Sequence, residues 1–246
     1  MTDDLHPTAF ETPSLQQLTG RADDHVVVLD PSDSVSIRVH PHIIPALTKL
    51  RKAAAESGFE IKVASGFRDY QRQRQIWNAK ATGLRVINDS FGRPLDTSGM
   101  NADEVVKAIL HWSMLPGCSR HHWGTDIDVY DARAVPEDYQ VQLDVAECEG
   151  SGPFAPFHQW LGDRLSRGEC FGFFRPYVKN SSAVAVEPWH LSWAPLALRC
   201  QQFLTPEVLL EAVVSDEIEL CDEIKRLFPE IYQRYIQVAL SSYPGR

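Results

Sequence analysis

The strongest constraint in this chain is a demand for convergence. Two short stretches, Ser119-Arg-His-His-Trp-Gly-Thr-Asp-Ile-Asp128 and Glu187-Pro-Trp-His190, hold three imidazoles, two aspartates and a glutamate. Three His/Asp donors plus a carboxylate that stays off the metal make the inventory of a catalytic zinc site. Donor atoms sit about 2 Å from zinc, so they must meet within a few ångströms of one another. On one helix His121 and Asp128 would share a face but stand about 10 Å apart along the axis. The chain must turn between them, and Gly124 is a residue able to make that turn. In Thr125-Asp-Ile-Asp-Val129, strand alternation puts Asp126 and Asp128 on one face and Ile127 on the other. The third donor must come from elsewhere. His190 is the best candidate, and His122, next to His121, competes with it. Pro188 opposes a regular helix through Glu187 and His190, so a strand end entering a turn is expected there.

The remaining pattern predicts an α+β fold. Helical spacing of apolar residues runs from Ile44 to Glu56 and is closed by Gly58. A strand over 59–64 and a Ser65-Gly66 turn precede a polar helix from about Asp69 to Ala81. Asn101 with Glu104 three residues later opens a helix to about Met114. Thr12-Pro13 reads as a helix start closed by Gly20. Residues 25–29 form a β-branched run and 35–39 alternate like a strand, with a turn at Asp30-Pro-Ser-Asp33. Residues 131–152 read as an exposed acidic insertion, 154–166 as a helix, and 171–175 and 183–187 as strands, the last delivering Glu187. After Pro195 the chain reads as helix throughout. The organisation expected is an N-terminal arm (1–40), a catalytic core (41–195) and a helical C-terminal extension packed on it (196–246).

The chain carries 24 basic and 33 acidic side chains, a net charge of −9. That balance argues against nucleic acid as a partner and shows no patch for anionic membranes. No run of about 18 apolar residues is present to span a membrane. The opening Met1-Thr-Asp-Asp-Leu-His-Pro7 has neither the basic nor the apolar region of a secretory signal. The five cysteines are odd in number, scattered, and without a C-x-x-C pair, which fits free thiols in a reducing compartment. A cytoplasmic location is expected, with oligomeric state left open. Cys118, beside the first motif, is expected to pack.

The segment Ser119-x-His121-x-x-Gly124-x-Asp126-x-Asp128 resembles the Ser-x-His-x-x-Gly-x-Ala-x-Asp signature of VanY-type D-alanyl-D-alanine carboxypeptidases and VanX-type dipeptidases. Glu187-Pro-Trp-His190 is similar to their Glu-x-x-His signature. Upstream, Ser65-Gly-Phe-Arg68-Asp-Tyr70-Gln-Arg-Gln73 is similar to their Ser-Gly-Tyr-Arg-Ser-Tyr-x-x-Gln segment. The three motifs occur in family order across residues 40–195. The resemblance implies a zinc α+β fold shared with peptidoglycan peptidases and the hedgehog domain, a small mixed sheet flanked by helices. It implies zinc on His121, Asp128 and His190, Glu187 as the base acting on water, and Arg68 at the developing oxyanion. It implies that Ser119, Gln73 and Tyr70 serve substrate binding.

The expected activity is hydrolysis of bonds involving D-amino acids in peptidoglycan fragments or muropeptides, as a DD- or LD-carboxypeptidase. A phage-type L-alanyl-D-glutamate endopeptidase and a non-catalytic zinc-fold binding module are the alternatives. Two departures stand out. Asp126 replaces the usual Ala, where it is expected to orient a ligand imidazole or meet a substrate amine. Ser192 and Trp193 stand where Arg-Tyr is usual, and Arg175 and Tyr177 are the candidates to compensate.

Overall fold

Alternation around Ile127 is resolved as an inner strand of a sheet, buried on both faces over residues 126–129. In the computed structural model, residues 11–30, 36–178, 183–213 and 217–244 are described. In chain order the elements are α1 (Leu15–Leu18), β1 (Val27–Val28), β2 (Arg38–Val39), α2 (Ile44–Glu56), β3 (Ile61–Ser65), α3 (Tyr70–Ala81), α4 (Ala102–Leu110) and β4 (Asp126–Asp131). There follow α5 (Val145–Cys148), α6 (Ala155–Ser166), β5 (Phe173–Phe174), β6 (His190–Trp193), α7 (Ala194–Phe203), α8 (Pro206–Val213) and α9 (Cys221–Ile231). No helix among the described residues is long and apolar enough to cross a membrane.

Local chemistry sets the helix starts. The Asp69 carboxylate accepts the Arg72 N–H at α3, and Asn101 with Glu104 closes a capping box at α4. The first helix starts later than Thr12-Pro13 suggests. Ser14 and Gln17 form its capping box, which satisfies the N–H groups of both residues. The α4 helix stops at Leu110, short of Met114. Beyond it the rings of His111 and Trp112 turn outward to the carbonyls of Ala183 and Asp89.

The main sheet has the order β3-β4-β6-β5. The expected α+β class holds, but the sheet expected as mixed is antiparallel at every pairing among the described residues. Ile127 and Val129 of β4 and Leu191 of β6 are fully buried. They join one apolar cluster with Leu47 of α2, Ile109 of α4, Leu161 of α6, Leu196 of α7 and Phe228 of α9. The C-terminal helices share that core, and Leu18 brings the N-terminal segment into it.

Two further expectations are corrected. Residues 183–187 form no strand: the Ala185 N–H bonds to the His111 carbonyl rather than to a sheet neighbour. The sheet strand begins at His190, after a turn closed by its N–H on the Glu187 carbonyl at 3.1 Å. The order is thus a turn entering a strand, the reverse of the expectation. The stretch 131–152 is exposed over much of its length, as expected, and is anchored at Glu147. The Glu147 carboxylate is buried and accepts the Tyr139 hydroxyl and the Gln142 and Leu143 N–H groups. Residues 31–35, which carry most of one expected turn and the start of one expected strand, lie outside the described residues.

Gly124 has φ +68° and ends the 3-10 turn Arg120–Trp123. A Cβ there would lie 2.6 Å from Val26 Cγ1 and 2.8 Å from the His40 nitrogen. Gly83 has φ +75° but faces open space. We expect Gly124→Ala to cost about 3 kcal/mol, a Tm roughly 6–12 °C lower. Gly83→Ala should cost about 1 kcal/mol. Calorimetry of the two variants checks this, and equal melting points would remove the close approach as a constraint.

Candidate metal centre and catalytic cleft

Strand register does the first part of the assembly. Asp128 pairs directly with His190 across β4 and β6, and Asp126 with Ser192 two residues away on the same face. Paired residues of this kind hold their Cβ atoms about 5 Å apart. The left-handed turn at Gly124 then folds His121 back over the strand. The His121 Nδ1–H donates to the Gly66 carbonyl at 2.8 Å, which leaves Nε2 as a lone pair 3.5 Å from Asp128 Oδ2. Gly66 is pressed so closely on β2 that a Cβ would lie 2.4 Å from the Arg38 carbonyl oxygen.

His190 is oriented from the other side. Its Nε2–H donates to Asp126 Oδ1 at 2.9 Å. Its Nδ1 therefore faces Asp128 Oδ1 at 3.7 Å and Glu187 Oε2 at 3.0 Å. One donor atom each from His121, Asp128 and His190 lies within 4.8 Å of the others, and all three residues are buried.

Those residues fit a metal on three counts. Asp128 Oδ1 is buried without a hydrogen-bond partner. Burial, Arg68 and His190 hold the His121 imidazole well below its ordinary pKa, in the neutral form that ligates. The set of two imidazoles and one carboxylate is one that zinc takes. Without a metal the charge is poorly matched. Burial pushes Asp128 up to about 6. Burial also opposes a charge on His190, but Asp126, Glu187 and Asp128 outweigh it and raise that imidazole to about 10. A cluster of carboxylates that holds a proton on a histidine holds a cation by the same attraction.

Beneath His190 lies a buried ion pair. Arg120 Nε donates to Asp126 Oδ1 at 2.9 Å, with side chains 2% and 0% exposed. Arg120 Nη2 donates to Ser192 Oγ at 2.6 Å and Nη1 to the Tyr243 hydroxyl at 3.2 Å. The hydroxyls of Thr125 and Ser192 donate to Asp126 Oδ2 at 2.7 and 3.1 Å. Burial alone would raise the Asp126 pKa, but Arg120 and His190 hold it well below the usual carboxylate range. With no exposed surface, Asp126 cannot meet a substrate amine. Of the two expected roles, orientation of the imidazole is the one its position allows.

The site opens into a cleft of about 280 Å³ lined by Arg68, Ser119, His121, Asp128, Glu187 and His190, with Lys80, Arg85, Trp112 and Tyr177 among its other walls. Arg68 is fixed by Nη1 on Gln73 Oε1 at 3.0 Å and Nη2 on Ser65 Oγ at 3.3 Å. Gln73 itself is fully buried, with its amide on the Met114 carbonyl. It therefore positions Arg68 and does not line the cleft, a correction to its expected place against substrate. Tyr70 is also displaced. Its N–H bonds to the Gly20 carbonyl and its ring lies under the Arg21 guanidinium, beside a separate cavity.

His122 is no ligand competitor. Its Nδ1–H donates to the Arg68 carbonyl at 2.5 Å and its Nε2 accepts the Gly117 N–H at 3.0 Å, so both ring nitrogens are used. Tyr177 packs edge-on against His190 in the cleft, whereas Arg175 turns away to the Pro188 carbonyl. Sequence reasoning passed over Arg120, although a buried aspartate demands a nearby cation. Tyr243 gives no local signal, since it arrives from the far end of the chain.

Removing Asp126 strands Arg120 without a counter-charge. Asp126→Ala should cost about 3–5 kcal/mol in denaturant unfolding of metal-free protein. Arg120→Met combined with Asp126→Ala should cost less than Asp126→Ala alone. A single-variant cost under about 1 kcal/mol would show that the pair is not what holds this region.

The VanY family, described as D-alanyl-D-alanine carboxypeptidase, matches residues 36–196. An uncharacterized protein of Haemophilus influenzae is 32% identical over 124 residues, covering 50% of this chain and 92% of its own. A D-alanyl-D-alanine carboxypeptidase of Enterococcus faecalis is 25% identical over 156 residues, 62% of this chain and 47% of its own. VanYB, solved in complex with D-alanine-D-alanine, is 22% identical with a TM-score of 0.50, covering 80% of this chain and 91% of that one. The LdcB LD-carboxypeptidase is 21% identical with a TM-score of 0.50, covering 79% and 81%. These two structures share the α+β fold. With the match spanning well over half of its length, the protein belongs to the VanY D-alanyl-D-alanine carboxypeptidase family of peptidases.

Proposed function

We propose that this protein is a zinc-dependent carboxypeptidase that releases a terminal D-amino acid, D-alanine foremost, from peptidoglycan-derived peptides. The observation that carries this reading is the convergence of His121, Asp128 and His190 in one cleft with Glu187. Family membership supports the substrate class. When bound, zinc would lower the pKa of a water towards 7 and polarise a carbonyl.

The chain's own groups supply the remainder. Glu187 is half-buried at the cleft wall. Its carboxylate accepts a proton from the attacking water and delivers it to the leaving amine. The Arg68 guanidinium is already fixed by Gln73 and Ser65, so it meets the developing oxyanion with little reorganisation. Ser119, in the same wall, holds the C-terminal part of the peptide. The buried Asp126 keeps the His190 Nε2 proton in place, which directs Nδ1 to the metal side.

Mass spectrometry of defined tetrapeptide and pentapeptide muropeptides incubated with the zinc-loaded protein tests the reading. Loss of one terminal D-residue is the expected product. Cleavage between L-Ala and D-Glu would make the protein an endopeptidase, and no cleavage of any muropeptide would favour a binding module.

Glu187→Ala should retain zinc and fold while losing about a hundredfold or more in turnover. Loss of zinc would move Glu187 among the ligands. Arg68→Lys keeps the charge but not the planar fork, so kcat should fall with KM nearly unchanged. A pure KM effect would reassign Arg68 to ground-state binding of the peptide.

A further inference from the structure

The α3 helix buries Gln73, Trp77 and Lys80 along one face. The first two are accounted for: Gln73 holds Arg68, and the Trp77 indole donates to the Glu219 carbonyl. Lys80 is different. It is 8% exposed and lines the cleft. Its ammonium has three donors, and the hydrogen bond it makes is to Ser113 Oγ at 2.7 Å. Among the described residues no carboxylate forms an ion pair with it. A lysine so buried is ordinarily paired. Burial, with Arg85 adding repulsion, draws its pKa down to about 8, against a pull from Glu187.

The acidic groups of the site are engaged elsewhere: Asp126 by Arg120, Glu187 by His190, and Asp128 within the donor set. Lys80 and the exposed Arg85 therefore make one part of the cleft wall cationic, with the neutral Ser113 hydroxyl beside them accepting from Lys80. Among the described residues no free carboxylate of the cleft is left to balance them.

We propose that Lys80, assisted by Arg85, binds a carboxylate of the substrate peptide and so determines which peptides this cleft accepts. The inference rests on the peptidase reading of the cleft. Two carboxylates offer the same chemistry, the free C-terminus and a side-chain or branch carboxylate within the peptide.

The test uses a muropeptide stem peptide, its C-terminal carboxamide, and the peptide amidated at its internal carboxylate. Lys80→Met, which keeps the aliphatic stem, should raise KM for the free peptide about tenfold or more, with kcat within about twofold. Lys80→Arg should restore most of the affinity. Arg85→Gln, at an exposed position that leaves the fold intact, should raise KM about threefold.

The Lys80→Met effect should vanish on the peptide whose engaged carboxylate is amidated, which tells the two sources apart. An equal effect on all three peptides would overturn the proposal. So would a fall in kcat without a change in KM, which would make Lys80 an electrostatic partner of Glu187. Calorimetric binding to zinc-loaded Glu187→Ala protein, with and without Lys80→Met, reads the same difference without turnover. If the wild type cleaves nothing yet this binding difference persists, the catalytic reading fails and the carboxylate site stands. If the peptides bind equally with and without Lys80, the site itself is refuted.

Discussion

A carboxylate sealed beneath a histidine is the feature on which this site depends. Asp126 has no exposed surface, and a charge so placed needs a cation and a full set of donors. Arg120 supplies the cation, and Thr125, Ser192 and His190 supply donors. The four partners come from three places in the fold: Arg120 from the 3-10 turn, Thr125 from the residue before β4, and Ser192 and His190 from β6. Arg120 in turn donates to Tyr243 near the chain end. A single buried pair thus ties both motifs and the C-terminal helices to one geometry, and the direction of the His190 ring follows from it.

The two imidazoles are held by different acceptors and present different nitrogens. A backbone carbonyl takes the Nδ1 proton of His121, and a carboxylate takes the Nε2 proton of His190. Neutral ligation and strong basicity are therefore divided between the two rings. The first is kept uncharged by burial and by Arg68; the second is surrounded by three carboxylates. A divalent ion answers both conditions, since it needs a lone pair from each ring and neutralises Asp128. Glu187 remains on the cleft side of this arrangement, as its proposed role as base for water requires.

What was legible in the sequence is what local rules govern. The bounds of α3, the capping box of α4, the helical spacing of α2, the turn at Gly124 and the alternation of β4 all act over a few residues, and each appears close to where the pattern puts it. What was not legible depends on long-range packing. The apolar run at 183–187 reads as a strand, but its buried N–H at Ala185 found a helix-end carbonyl instead of a sheet. Gln73 and Tyr70 sit in a motif that suggests substrate contact, yet Gln73 is spent on Arg68 and Tyr70 faces the N-terminal segment. Lys80 lay on a readable helical face, but its missing partner is a property of the folded cleft. That the helices after Pro195 share the main core follows from which apolar faces meet.

The central claim is that these two histidines ligate through different nitrogens because Gly66 and Asp126 fix their tautomers. Anomalous diffraction at the zinc edge from crystals of the zinc-loaded protein tests it most directly. The account predicts one peak about 2.0–2.2 Å from His121 Nε2, an Asp128 oxygen and His190 Nδ1, with His190 Nε2 still bonded to Asp126. A peak at His122, coordination through His190 Nε2, or the absence of any peak in the cleft would contradict it.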